Sequence, residues 1–366
     1  MHNSVFLQKQ LDFKDEPLFF GTGVNVQEYA DPKHPKLEKN NRQMISYFWV
    51  PEEVSLLKDR NDFMTMTQGE QFIFVSNLKY QILLDSIQGR GPLLAFLPFI
   101  TLPELEGAVI TWGFFETIHS RSYTHMIRNL FSDPSEVIDH IIDIPEIIER
   151  AAAIGKYYDD FIEIGCRYRV DPSSVDMKEL RKKLYLALMC INILEGMRFY
   201  VSFSCTFAFG ERKLMEGSTK IMGFIARDEA QHLALTQNLI KMMREGADGN
   251  AWVEVIAECE DEAVQMFRDA AEQEKRWAEY LFEHGQMVGL NASILSNYVD
   301  HLTYKRMRGV GLPPIVRSQR NPLGWMENWL NSKGVQEAPQ ETEKESYMIG
   351  AVDSDVGDDD LDDLSL

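Results

Sequence analysis

"GFFETIHSRSYTH", residues 113–125, sets Glu116, His119 and Tyr123 in a segment otherwise rich in apolar and aromatic side chains. On a helix turning about 100° per residue, His119 lies one turn beyond Glu116 and Tyr123 one more turn on, so the three share one stripe. They can point into one interior space. A single Glu-x-x-His is weak by itself, because Glu and His at i and i+3 often form an exposed pair. The same spacing returns at Glu229 and His232 in "ARDEAQH".

Each copy follows a lone acid at a similar distance. Asp85, in "LLDSI", precedes Glu116 by 30 intervening residues, and Glu195, in "NILEGM", precedes Glu229 by 33. The chain therefore repeats a half-site, a carboxylate and then Glu-x-x-His one helical hairpin later. Four antiparallel helices would bring both halves to one centre, which is the ligand pattern of di-iron and di-manganese carboxylate bundles with Asp85 in place of one glutamate. Four buried carboxylates without counter-charge would repel one another and be costly to desolvate. Two divalent cations would cancel them, and ligation rich in oxygen with two imidazoles suits iron or manganese. Surface ion pairs would need polar neighbours, whereas the positions flanking Glu195 at i±3 and i±4 are Ile191, Asn192, Arg198 and Phe199.

The helical pattern extends outward from these motifs. Long helices are predicted over about 69–88, from Pro103 past His125, over 177–209, over 214–245 and over 252–285, with Asp133 and Glu136 as a cap opening another. "GLPPI" at 311–315 marks the approach to the end of the folded body. Strand and helix do not alternate, and no Walker-type or dinucleotide-type glycine loop occurs, so nucleotide binding has no support. Phe199, Phe203 and Ile225 continue the carboxylate-bearing stripes as apolar wall. Tyr123 alone offers that wall an oxidisable phenol.

The 366 residues, 45% hydrophobic, suffice for a large core. No run of about 18 uninterrupted apolar residues is present and "MHNSVFLQKQ" lacks the character of a secretion signal, so a cytoplasmic protein without a membrane partner is expected. Cys166, Cys190, Cys205 and Cys259 have no CxxC spacing and read as free thiols. The net charge of −20 is uneven: residues 336–366 carry eleven acids against Lys344, which is half of it. That composition predicts a flexible acidic tail (336–366) behind a folded domain (1–335), suited to a protein partner and not to nucleic acid.

The segments "NLKYQILLDSIQGR", "ETIHSRSYTHMIRNL", "LEGMRFYVSFSCTFAF" and "ARDEAQHL", in this order, closely resemble the small, radical-generating subunit of class Ia ribonucleoside-diphosphate reductase of bacteria and their phages. The resemblance runs from "FFGTGVNVQEY" through the tail. It implies an all-α, ferritin-like bundle in which Asp85, Glu116 and His119 bind one iron, Glu195, Glu229 and His232 the other, and a carboxylate bridges them. Tyr123 would hold a stable tyrosyl radical formed by oxygen activation and passed to a cysteine of a separate large subunit, where ribonucleotides are reduced. Trp49, in "SYFWVPEEV", resembles the family's electron-relaying tryptophan, and Asp228 the acid that links it to His119. Tyr347 resembles the tail tyrosine that carries the radical across the subunit boundary, with Glu341 matching a nearby acid. The family is homodimeric, so a homodimer is expected.

Three departures stand out. Phe115 sits where a small residue is expected, Gly113 is unusual inside a helix, at up to about 1 kcal/mol against Ala, and "DDLDDLSL" ends in leucines where relatives often carry an aromatic. The competing readings are a di-iron monooxygenase or oxidase acting on a small molecule, and a non-catalytic iron-binding helical protein. Neither would require Tyr123, Trp49 and Tyr347 together.

Overall fold

A computed structural model describes residue 5 and residues 7–330. Tyr347, Glu341 and the segment 336–366 lie outside the described residues. The helices are α1 (Pro35–Ser46), α2 (Leu57–Thr65), α3 (Gln68–Gln88), α4 (Gly91–Ala95), α5 (Pro103–Leu130), α6 (Ser135–Ile138) and α7 (Pro145–Val170). After them come α8 (Met177–Ile193), α9 (Phe199–Gly210), α10 (Glu216–Arg244), α11 (Asn250–Glu258), α12 (Glu260–Leu281), α13 (Ala292–Gly309) and α14 (Met326–Leu330). The described residues contain isolated β-bridges, such as Phe19 with Ile100, and no strand. The all-α expectation holds.

Local chemistry fixes the ends of the helices that matter. A capping box opens α3: the Thr67 hydroxyl accepts from Glu70 N, and Glu70 returns a bond to Thr67 N. Pro103 starts α5, where its missing N–H costs nothing. Asp176 caps α8 by accepting from Lys178 N. Between α8 and α9 the helix continues through one widened π-helical turn, Leu194–Arg198.

The core is a four-helix bundle. Helix α3 packs on α5 and α9, and α10 packs on α5, α8 and α9. This joins one pair, α3 and α5, to a second, α8–α9 and α10, in the ferritin-like manner. The connection between the pairs carries α7, which covers α3 and α8. The stretch Met177–Gly210 is long and apolar enough to cross a membrane, yet its most apolar part is wholly buried within the protein. A helix apolar all round is what the centre of a large bundle requires.

Some boundaries differ from the sequence reading. Asp133 does accept from Ser135 N and Oγ, but it opens only the single turn of α6; the long helix waits for Pro145. The stretch 252–285 is divided at Cys259 into α11 and α12. Gly113 has a concrete cause, because a Cβ there would meet Leu93 Cδ1 of α4 at 2.7 Å. A larger residue at 113 would fit only if the Leu93 side chain moved aside. Phe115 is accommodated in the core, edge-on to Phe114 at 5.7 Å.

Candidate metal centre

The side chains singled out by the repeat come together. Asp85 arrives from α3, Glu116 and His119 from α5, Glu195 from the π-turn, and Glu229 and His232 from α10. All six are fully buried. Two groups could each hold a metal ion: Asp85, Glu116, His119 and Glu229, and Glu116, Glu195, Glu229 and His232, with ligand atoms in each within 4.8 Å of one another. Glu116 and Glu229 belong to both. Two shared carboxylates are the feature expected of a pair of ions held side by side.

The unmet polar atoms define what the cluster lacks. Both oxygens of Asp85, Oε2 of Glu116 and Glu195, Oε1 of Glu229, Nδ1 of His119 and Nε2 of His232 are buried with no hydrogen-bond partner. Orphans on this scale in one spot are uncommon in folded proteins and call for an ion or water. Nδ1 of His119 lies 3.1 Å from Glu229 Oε1 and 3.5 Å from Glu116 Oε2 without closing a hydrogen bond. His232 Nδ1 does bond Glu229 Oε2, at 2.7 Å. The donor set, four carboxylates and two imidazoles with no thiolate, fits a pair of hard or borderline divalent cations such as iron or manganese.

Electrostatics carries the same message. Burial, then the neighbouring Glu116 and Glu229, push the Asp85 carboxyl well above its usual range, and burial with Glu229 does so for Glu195. Burial opposes charge on the imidazoles, but Glu229 overcomes it, raising His119 well above its ordinary value and His232 to about 9. Glu229 is itself held well below the carboxylate range by His119 and His232 despite burial. Protons thus collect where cations would otherwise sit.

Supporting side chains fix several of these groups. Asp228 Oδ2 accepts from Trp49 Nε1 at 2.8 Å and lies 3.3 Å from His119 Nε2. This holds Nε2 of His119 outward and Nδ1 toward the carboxylates, the usual second partner of a metal-binding imidazole. Arg227 reaches Asp228 Oδ1 at 3.4 Å and stacks over Tyr47. Trp112 Nε1 donates to Glu116 Oε1 at 2.9 Å, and its ring lies 5.3 Å from that of His232. Gln88 Nε2 donates to Glu195 Oε1, and Tyr158 donates to Gln88 Oε1 at 2.8 Å. Trp112, Gln88 and Tyr158 were not singled out by sequence. Trp112, four before Glu116, and Gln88, three after Asp85, could have been found by helical spacing; Tyr158 could not.

Glu195 is not part of an ion pair with nearby Arg198. That guanidinium turns away, donating to Glu274 Oε1 at 2.7 Å and Gln273 Oε1 at 2.6 Å, while Arg150 Nε and Tyr80 OH reach the same Glu274 oxygen. On the other side, Arg306 Nε donates to Gly196 O at 2.7 Å. The π-turn carrying Glu195 is thereby gripped from α12 and α13. Such turns often mark functional sites within helices.

Tyr123 is buried on α5, one turn beyond His119. Burial, then the Asp85 carboxylate beside it, push the phenol well above its usual range, yet its hydroxyl closes no hydrogen bond of acceptable geometry. Phe199, Phe203 and Ile225 are completely buried, and the first two rings stack at 5.8 Å.

With this geometry in hand, comparison with known proteins is specific. The family profile "Ribonucleotide reductase, small chain" matches residues 27–322, a span holding every site residue named above except Glu341 and Tyr347. The ribonucleoside-diphosphate reductase subunit beta of Haemophilus influenzae is 50% identical, with all of both chains covered. The ribonucleoside-diphosphate reductase 1 subunit beta of Escherichia coli O157:H7 is 48% identical over the same full extent, and the subunit beta of phage T4 is 44% identical over 97% of each chain. Among solved structures, a ribonucleotide reductase R2 subunit from Clostridium botulinum matches with a TM-score of 0.75 at 25% identity, covering 89% of this chain and 99% of that one. A dimanganese(II)-NrdF of Streptococcus sanguinis shares the fold, with a TM-score of 0.66 at 15% identity over 84% of this chain and 99% of that one.

Proposed function

The chain belongs to the ribonucleotide reductase small-chain family, and on that premise we propose that its buried cluster holds a di-iron centre which creates a tyrosyl radical at Tyr123. As the small subunit of ribonucleoside-diphosphate reductase it works with a large subunit. Asp85, Glu116 and His119 would hold one ion and Glu195, Glu229 and His232 the other, with Glu116 and Glu229 placed to bridge. The observation carrying this reading is that the two candidate ligand groups share those two glutamates while Tyr123, buried beside Asp85, has an unbonded hydroxyl. Manganese would fit the same donors.

When bound, the reduced metal pair supplies electrons to dioxygen and so generates the oxidant that the phenol meets. The chain's own residues govern the proton and the electron that leave the phenol. Tyr123 keeps its proton at neutral pH because burial and Asp85 disfavour the phenolate. Loss of its electron must therefore be joined to loss of its proton, and Asp85, which would give up its own proton on binding a cation, is the carboxylate beside the phenol to receive it. The buried Phe199 and Phe203, one and two turns beyond Glu195, would keep water from the carboxylate cluster. Trp49, joined through Asp228 to His119, is placed to relay an electron.

Tyr347, with Glu341, would hand the radical to the large subunit, and the acidic segment 336–366 would be its binding element. Its composition supports this, with eleven acids, one lysine and a lone tyrosine. A homodimer is part of the same reading. Ile45, Phe48, Ile110 and Phe114 are all exposed on the adjoining α1 and α5 region, with Phe48 and Phe114 stacked at 6.1 Å. An apolar patch of this kind suits a self-complementary interface. Buried free thiols at Cys190, Cys205 and Cys259 accord with a cytoplasmic, reducing location.

The test is electron paramagnetic resonance after adding ferrous iron and oxygen to the metal-free full chain. A tyrosyl signal that vanishes in Tyr123→Phe is the expected result. An oxidised metal pair with no organic radical in the parent chain would instead favour a small-molecule oxidase.

A further inference from the structure

We infer that Gln88, held by Tyr158, is a positioning residue that leaves only Oε2 of Glu195 free for the metal pair. The inference rests on the reading of Glu195 as a ligand. Gln88 is fully buried, one turn past Asp85 on α3, and its amide lies between two groups from other elements. Its Nε2 donates to Glu195 Oε1 from the π-turn, and its Oε1 accepts from the Tyr158 hydroxyl of α7 at 2.8 Å. Oε2 of Glu195 is left buried and unpartnered.

The orientation of that amide is set at its Glu195 end. As a metal ligand Glu195 would be ionised and could only accept, so turning the amide over would then set oxygen against oxygen. Tyr158, whose hydroxyl can serve either way, then donates to the amide oxygen. The phenol is fixed in turn by its bed. Its ring lies against Gly91, where a Cβ would stand 2.3 Å from Cζ, and its centroid is 6.2 Å from that of Phe96. Glycine at 91 is what permits the ring to lie there, so Gly91, Tyr158, Gln88 and Glu195 form one line of support.

The support matters because Glu195 sits in the least regular turn of its helix. With Oε1 engaged by a neutral donor, the carboxylate offers one oxygen rather than two. Released from Gln88, it could turn and chelate, changing the coordination number of its ion. The two halves of the centre are thus supported by different chemistry: the acid Asp228 and an indole behind His119, an amide and a phenol behind Glu195.

Anaerobic ferrous titration of the metal-free full chain, followed by near-infrared circular dichroism, tests this through metal affinity and ligand-field bands. In the parent chain two ions should bind. Gln88→Leu should weaken one of them by about 10–100-fold, the range for loss of an outer hydrogen bond at a metal site, and shift that ion's bands alone. Tyr158→Phe should shift the same bands less, and Gly91→Ala, by displacing the ring, should resemble it. Wild-type bands and affinity in Gln88→Leu, or equal weakening of both ions, would overturn the inference. If Gln88→Leu does not fold, Tyr158→Phe decides, and unchanged bands in it count against the proposal. A parent chain that takes up no ion pair would overturn the ligand assignment itself, before any variant is compared.

Discussion

Trp49 Nε1 donates to Asp228 Oδ2 at 2.8 Å, joining two residues 179 positions apart and placing an indole one carboxylate away from His119. Both side chains are buried. In Trp49→Phe the Asp228 oxygen loses its principal donor, which should lower the stability of the metal-free protein by about 1–3 kcal/mol, read as a shift in urea midpoint. Asp228→Asn should act on the metal instead. An amide oxygen without charge is a poorer partner for the imidazole, so one of the two ions should bind about 10–100-fold more weakly. Equal affinity in a calorimetric titration would show that His119 is positioned without Asp228.

Tyr123→Phe separates structure from chemistry. The hydroxyl is buried and closes no hydrogen bond of acceptable geometry, keeping only its electrostatic contact with Asp85, so its removal costs little and relieves a desolvated polar group. The metal-free variant should unfold at the same temperature as the parent or slightly above it, by the equivalent of up to about 1 kcal/mol, while the radical signal disappears and metal uptake persists. A marked fall in the calorimetric melting temperature would mean that the hydroxyl is bonded in solution.

Much of this site was legible because helical spacing is periodic. Glu116 and His119 share a stripe whatever surrounds them, and the recurrence of that pair after a lone acid gave the six converging side chains and the four-helix architecture. What sequence left out depends on contacts between elements. Nothing local signals a π-turn at Leu194–Arg198, whose neighbours Arg198 and Gly196 are gripped by α12 and α13. Gly113 read as a flaw in a helix until Leu93 supplied its reason. Asp133 does mark a helix start, but capping chemistry does not state how far a helix runs: α6 ends after one turn and Pro145 begins the long α7.

The metal-free protein should lose stability as pH rises, and cations should reverse the loss. His232 is raised from 6.5 to about 9, so its contribution is fully present below 6.5 and is lost as pH climbs through about 9. Asp85 and Glu195 are raised too; the folded chain then keeps protons that the unfolded chain releases, and stability falls above their ordinary values. Glu229, depressed, acts oppositely, contributing above 4.5 and failing only in strong acid. Bound cations displace these protons, so the gap in melting temperature between metal-loaded and metal-free protein should widen from pH 6 to about pH 9. Calorimetric titrations in buffers of different ionisation enthalpy should report proton release at pH 7. A gap independent of pH would mean that the cluster holds no protons to displace.

Removing residues 336–366 should divide radical formation from its use. Every group proposed to bind metal or form the radical lies between Trp49 and His232, so the truncated chain should load iron and show the parent's tyrosyl signal. It would lack Tyr347 and eleven acidic residues, half the net negative charge of the protein. Turnover with the large subunit should then be abolished. Tyr347→Phe keeps the charge and the aromatic ring but removes the oxidisable hydroxyl, so it should still bind the large subunit, measured by surface plasmon resonance, while turnover fails. Rising salt should weaken binding of the full chain more than that of a chain with its acidic residues at 358–363 neutralised, since exposed charges are screened within about 10 Å at 0.1 M salt. Turnover that survives truncation would place the handover to the large subunit on the folded body instead of the acidic segment.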